Sequence, residues 1–442
     1  MKRFRWIGPI IVVMLIAAGC SSDDTADDSA VCDGEVTAST IEAWAHEGAE
    51  ADAYTAMVDD FNATVGADAG VTVNLTLIPE GDYTDKINAA AAAGDLPDLL
   101  DFDGPTLANY AWGGTLASID GCISDELRDN TLSSIIAQGT YNDTLYSVGS
   151  FDSGLGLYAW RSALEGVGAE IPTEPGDAWN VEEFTQILQD LQAAGFEHPL
   201  DYKPWYGTQG EWMTYGFSPI VQSGGGDLID RDGYQTADGV LNSEGSVNAL
   251  TAFQGWVTAG LTDNDAVDDS NFISGSSPLS WVGHWMYNTY KEAVGDDLVI
   301  VPLPDFGDGT RTGMGSWAWG ITSAGAATDG DAAWLFIDFA MSDDSILKIT
   351  EANGAVPATQ SAIEKAPNFA EGGDLELFVK QLKGAPDIAT PRPVYPGYPT
   401  LTAEYWGAMD KIILGADVKE TLDAAVAAID ADIEANDGYP AP

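Results

Sequence analysis

The chain has 442 residues, 45% hydrophobic and 10% aromatic, which is ample for a buried core and long for one compact domain, so two domains are expected. Seventeen Lys and Arg stand against seventy Asp and Glu, a formal net charge of −53. A polyanion of that strength is excluded as a nucleic-acid binder and is repelled by anionic lipid; the acidity reads as a solvated surface suited to salty media, not as a metal site.

Lys2, Arg3 and Arg5 precede an apolar run from Ile7 to Ala18, and the small residues Ala17-Ala18-Gly19 follow. The run is short for a bilayer span, and the order basic, apolar, small is that of a secretory signal peptide. Cys20, directly after Gly19, is similar to the lipidated cysteine of the bacterial lipobox, although Ala17 stands where Leu is usual. This predicts removal of residues 1–19 and a lipidated Cys20 followed by a flexible tether over residues 20–32. It also predicts an extracytoplasmic protein held on the outer face of the cell membrane by that anchor alone. Two cysteines then remain, Cys32 and Cys122, in a compartment that permits disulfides; an even pair there points to one bridge, with two separate thiols as the alternative.

Further along, Val36 to Trp44 is rich in strand formers. Tyr54, Met57, Val58 and Phe61 share a helix face, and Val71, Val73, Leu75 and Leu77 alternate with polar residues as a half-buried strand does. A helix over Lys86 to Ala93 stops at Gly94, and Leu99 to Phe102 reads as a strand. Asn180 and Glu183 have the spacing of a capping box ahead of Phe184, Leu188 and Leu191. Val247, Leu250, Phe253, Trp256 and Val257 form another apolar helix face, with Trp256 and Trp334 assigned to core. Leu298 to Val301 is a short buried strand, and helices are expected over Ala332 to Met341 and Val418 to Ile433. The alternation predicts an α/β fold with largely parallel sheets and functional residues in the loops after strands.

Motifs of enzyme chemistry are scarce. The three His, at 46, 198 and 284, are scattered, and no HExxH, GxSxG or P-loop occurs, so no metal and no cofactor are expected. Gly224-Gly225-Gly226 lacks the spacing and the Lys of a phosphate cradle and reads as a turn; Asp230 to Gly233 falls short of a calcium loop. Seventy acidic residues make chance carboxylate pairs inevitable, so a glycosidase working through two of them is the alternative function.

Six segments expected to follow strands mix aromatic rings with carboxylates or amides: Trp44 to Gly48, Asp101 to Gly104, Phe151 to Gly154, Glu211 to Tyr215, Trp281 to Trp285 and Gly313 to Gly320. Sugars match this mixture. Their C–H faces lie on aromatic rings, and their hydroxyls donate to carboxylates and accept from His, Arg or amide groups.

At these segments the chain resembles the extracellular solute-binding proteins of sugar ABC importers, the maltose-binding-like family. The marks are AWAHEG (43–48), AAAGDLPDLLDFDG (91–104), FDSGLGLY (151–158), GEWMTYGFSP (210–219), SWVGHWMY (280–287), GMGSWAWGI (313–321) and NGAVPAT (353–359), taken in their order. The resemblance implies the two-lobe type II binding-protein fold with three crossover hinges and ligand in the cleft between lobes. One lobe would comprise 33–150 plus 316–353 and the other 151–315 plus 354–442. It implies a monomer that binds a mono- or oligosaccharide and presents it to permease subunits of an ABC transporter, without catalysis. Carried over residue by residue, it places His46 and Glu47 after the first strand and Asp103, with Asp101 as its competitor, as an acceptor of sugar hydroxyls. Asp152 stands at the first crossover, and Glu211, Trp212 and Tyr215 form an acidic-aromatic group. Trp285 matches the principal stacking ring and Trp317 a second, and Arg392 and Tyr398 complete the cleft. His284, where Pro is common, and Trp281, an added ring, bear on which sugar fits.

Overall fold

The computed structural model describes residues 31–32, 34–207, 211–315 and 317–440. The expected signal peptide and Cys20 lie outside the described residues.

Residues from Val31 onward form one compact unit built on two principal sheets. The first sheet has five strands, in the spatial order Thr72–Pro79, Thr40–Glu47, Leu99–Asp103, Trp317–Ile321 and Ser147–Val148. The second has four, in the order Leu298–Val301, Leu155–Trp160, Leu279–Gly283 and Leu200–Asp201.

The local patterns explain the elements. In helix Ala51–Ala63 the buried residues are Tyr54, Met57, Val58 and Phe61, one stripe at helical spacing. Asn180 accepts from the Glu182 and Glu183 amides while the Glu183 carboxylate accepts from the Asn180 amide, so the capping box starts helix Val181–Ala193. Strand Leu298–Val301 has the expected bounds, whereas the first strand begins at Thr40, four residues later than expected from Val36. Helix Ser323–Ala340 extends the expected Ala332–Met341 segment backward across a kink at Asp329. Trp256 is fully buried, and Trp334 is half-buried against the first core.

Each sheet has its own apolar core. One gathers Ile41, Phe61, Trp319 and Phe336 around the first sheet; the other gathers Leu157, Phe184, Phe253 and Trp281 around the second and draws in Leu401, Met409 and Leu422 from the C-terminal helices. Cys32 and Cys122 are joined by a disulfide that ties the start of the described chain to the first half.

The expectation of largely parallel sheets is corrected. Thr40–Glu47 is parallel to both its neighbours, but Trp317–Ile321 runs antiparallel to Leu99–Asp103 and to Ser147–Val148. In the second sheet Leu155–Trp160 is antiparallel to both flanking strands. The parallel rule follows from strands joined by a helix that packs back on the same sheet. Leu155–Trp160 and Trp317–Ile321 instead enter from crossings between the halves, and that constraint does not act on them.

Candidate ligand-binding cleft

Strand Leu99–Asp103 brings two carboxylates to one end of the first sheet. Asp101 is fully buried; its carboxylate pairs with His46 Nδ1 at 2.6 Å, and the Tyr54 hydroxyl lies 3.5 Å away. Glu50, which precedes helix Ala51–Ala63, takes the other imidazole nitrogen at 3.0 Å. Burial alone would drive the His46 pKa down, but the Glu50 and Asp101 carboxylates outweigh it and hold the imidazole at about 10. His46 is therefore a buried cation. Burial pushes Glu50 up, yet His46 prevails and keeps it below its usual range. The Trp317 indole lies flat on the His46 ring, with centroids 3.7 Å apart and planes 9° apart. One face of Trp317 is thereby covered. Glu47 stays exposed at the end of its strand.

Asp103, two residues on, meets the other half of the molecule. Arg392 Nη1 and Nη2 donate to its two oxygens at 2.8 and 2.6 Å, and Nη1 also donates to Glu211 at 2.7 Å. Tyr398 and Thr402 donate to the same Glu211 carboxylate, and the Arg392 guanidinium lies 4.9 Å from the centre of the Tyr215 ring. Burial pushes the Asp103 carboxyl up, against the pull of Arg392. The pair is bidentate, the strong geometry for guanidinium and carboxylate. Around it, Gly104, Pro105, Gln138, Met314, Gly315, Pro391 and Val394 enclose about 10 Å³ with Arg392. That is room for one water; the bonds from Arg392 to Asp103 and Glu211 are what hold the halves together here.

On the second half a wall of rings faces this junction. Trp285 Nε1 donates to the Tyr206 hydroxyl at 3.0 Å, and the Trp285 ring meets Trp212 edge-on and Tyr215 at a tilt, both at 6.1 Å. Trp285 folds back over Gly283, where an added Cβ would come within 2.0 Å of the indole; the glycine leaves that space. Trp212 to Tyr215 do not lie in a loop, as the sequence suggested. They form the first turn of helix Trp212–Ser223, which is buried along its whole length.

Residues 56–376 match the family model described as a bacterial extracellular solute-binding protein. The chain belongs to this family. It is 25% identical over 213 residues to the maltodextrin-binding protein MdxE of Bacillus subtilis (strain 168), a stretch covering 46% of this chain and 48% of that one. Its fold is similar to the GacH receptor of Streptomyces glaucescens GLA.O, solved unliganded and with acarbose, with a TM-score of 0.74 at 22% identity over 90% of this chain and 99% of that one. It is also similar to the cyclic alpha-maltosyl-1,6-maltose binding protein from Arthrobacter globiformis, with a TM-score of 0.72 at 22% identity over 90% and 99%. The chain spans about half the length of the curated relatives it matches.

In this solute-binding protein Asp152 works at the crossings between halves. It lies in strand Phe151–Asp152, which pairs with Val356–Pro357. Its carboxylate is fully buried and accepts from the Ser153 amide at 2.8 Å, the Gly315 amide at 3.2 Å and Gln138 Nε2 at 3.2 Å. It thus ties two crossing segments together, with those oxygens engaged by the protein. His284 is similarly placed: buried, with Nδ1 2.8 Å from the Asn353 carbonyl and its ring against Phe151. Trp281 is not brought to the cleft. It is fully buried in the second core, stacked on Phe217, and its Nε1 donates to the Gly216 carbonyl. Its place in the middle of strand Leu279–Gly283 points the indole inward.

Three residues at the cleft were missed by the sequence reading. Glu50 had one signal, its position four residues after His46. Trp205 and Tyr206 follow Lys203-Pro204 in a short turn; both are half-buried, Tyr206 accepting from Trp285 and Trp205 meeting the Tyr206 ring edge-on. Lys203 supports them: it is fully buried, pairs with Asp201 at 2.6 Å and Asp269 at 2.7 Å, and lies 4.5 Å from the centre of the Trp205 ring.

Proposed function

We propose that this solute-binding protein captures a mono- or oligosaccharide between its two halves and delivers it to the permease subunits of an ABC transporter. The observation that carries the reading is the junction of Asp103, Arg392 and Glu211, flanked by the rings of Trp285, Tyr206, Trp212 and Tyr215. Carboxylates accept sugar hydroxyls, a guanidinium donates to them, and the indole gives the apolar ring face a surface. In the shut form Arg392 occupies both oxygens of Asp103, and Arg392, Tyr398 and Thr402 together engage Glu211, so the halves must part before a sugar can exchange for these bonds.

In this reading one lobe comprises 33–150 plus 316–353 and the other 151–315 plus 354–442, with the crossings as hinges. Of the candidate positions drawn from the sequence, His46, Glu47, Asp103, Glu211, Tyr215, Trp285, Trp317, Arg392 and Tyr398 line or back the cleft; Trp205 and Tyr206 join them. Cys20 carries the lipid anchor, and the monomer works outside the cytoplasm. Maltodextrin is the substrate named for the Bacillus relative and acarbose the ligand of the Streptomyces structure, which favours α-linked glucosides for the first trials.

The test is a thermal-shift screen with glucose, maltose, maltotriose and trehalose. A ligand that binds only the folded form raises the melting temperature by mass action, so at least one of these should do so. A flat screen rejects the reading. Cleavage of an oligosaccharide that Asp103→Asn abolishes would favour the glycosidase alternative instead.

A further inference from the structure

Among the described tryptophans, Trp112 and Trp205 are the two that join none of the apolar cores. Trp112 lies exposed on the surface, edge-on to Tyr439. Trp205 is half-buried, and its support is polar. Lys203 Nζ lies 4.5 Å from the centre of the indole, and the same ammonium donates to Asp201 at 2.6 Å, to Asp269 at 2.7 Å and to the Tyr290 hydroxyl. Lys203 and Asp201 are both fully buried, and the other Asp201 oxygen accepts from the Lys203 amide at 2.8 Å. The Trp205 and Tyr206 rings meet edge-on with centroids 5.4 Å apart; Tyr206 in turn accepts from Trp285 and stands edge-on to Trp212. The indole outside the cores is thus tied to the ring wall of the cleft.

Stability alone does not account for Lys203. A buried ion pair is often no more stable than apolar side chains of the same volume, because both charges give up water. The backbone adds to the cost: Lys203 has φ of +64°, in the left-handed region that favours glycine. Outliers of this kind gather where geometry serves a ligand. Here the left-handed residue leads the chain out of strand Leu200–Asp201 into the short turn Pro204–Tyr206, and the ammonium fixes the indole by cation–π attraction. We propose that Trp205 is a sugar-stacking ring of the cleft and that Lys203 is its positioning residue, with Asp201 and Asp269 holding the ammonium in place. The proposal rests on the reading of the cleft as a sugar site and narrows the ligand. Trp205 meets the ring of Tyr206 and Trp285 meets its hydroxyl, so the two indoles are separate stacking surfaces. One pyranose covers one indole; a chain of two or more units is needed to cover both.

The experiment titrates glucose and maltotriose into the full chain by isothermal calorimetry, and into Trp205→Ala, Lys203→Met and the two combined. The parent should bind maltotriose more tightly than glucose, and each single variant should bind maltotriose roughly tenfold more weakly. The combined variant should be no weaker than either single one, since the lysine acts through the ring; a merely structural lysine would add its own loss to that of Trp205→Ala. The proposal is overturned if the two losses multiply, if glucose binds the parent as tightly as maltotriose, or if the parent takes neither sugar. Should Lys203→Met fail to fold, as circular dichroism would show, Lys203→Met/Asp201→Asn replaces it, which leaves only the half-exposed Asp269 without its cation. Unchanged maltotriose affinity in Trp205→Ala overturns the proposal and leaves the cleft reading intact, whereas that reading is judged on the wider sugar screen.

Discussion

Arg392 grips Asp103 through two hydrogen bonds of 2.8 and 2.6 Å although the two residues are 289 positions apart in the chain. The bond pair crosses from the first half to the second, and both side chains are more than nine-tenths buried. Arg392→Ala leaves Asp103 and Glu211 facing each other as like charges with nothing between. Removing one member of a buried pair costs about 3–5 kcal/mol, and here separation of the halves relieves it. The unliganded variant should therefore have a larger radius of gyration by small-angle scattering than the parent chain. Superimposable scattering curves would refute the latch.

His284 makes stability depend on acid. Burial pushes its imidazole down to about 4, although the bond to the Asn353 carbonyl favours the charged form. The depressed base is neutral in the fold and takes a proton more readily when unfolded. Its contribution is fully present above the ordinary value near 6.5 and is lost as pH falls toward 4, on the order of 3 kcal/mol in all. In His284→Gln the fall in melting temperature between pH 7 and pH 4 should be smaller than in the parent; an equal fall contradicts the assignment.

His46 runs the other way. Held at about 10 by Glu50 and Asp101 against its burial, it stabilises the fold fully below 6.5, and the contribution is lost as pH rises through 10. Denaturant titrations from pH 6 to pH 10 should show a decline in the parent that His46→Gln lacks, that variant starting several kcal/mol lower because two buried acids lose their cation.

The Cys32–Cys122 bridge closes a loop with a sequence separation of 90. Chain-entropy reasoning gives it about 4–5 kcal/mol of stability, mostly by restricting the unfolded chain. Urea unfolding of the Cys32→Ser/Cys122→Ser double variant should show a loss of that order, and an unchanged midpoint would mean the bridge constrains little.

What the sequence disclosed was mostly local. The Asn180 capping box and strand Leu298–Val301 depend on neighbours a few residues away, and both patterns carry over into the fold. Strand direction did not, because Leu155–Trp160 and Trp317–Ile321 are oriented by crossings between halves and not by their own residues. An alternating or mixed pattern also does not say which indole points outward: Trp281 and Trp285 are four residues apart, yet one is core and the other lines the junction. Asp101 and Asp103 share a strand face, but only contacts made through folding separate the partner of His46 from the partner of Arg392. Trp205 and Tyr206 escaped notice because their position rests on Lys203, a buried lysine whose role depends on Asp201, Asp269 and Tyr290 around it.

The central claim is tested most directly by following tryptophan fluorescence while maltotriose is titrated into the parent chain and into Trp285→Ala. The account predicts saturable binding by the parent and at least about tenfold weaker binding by the variant, since loss of the stacking surface costs on the order of 1–2 kcal/mol. Equal affinity in the two proteins would contradict it.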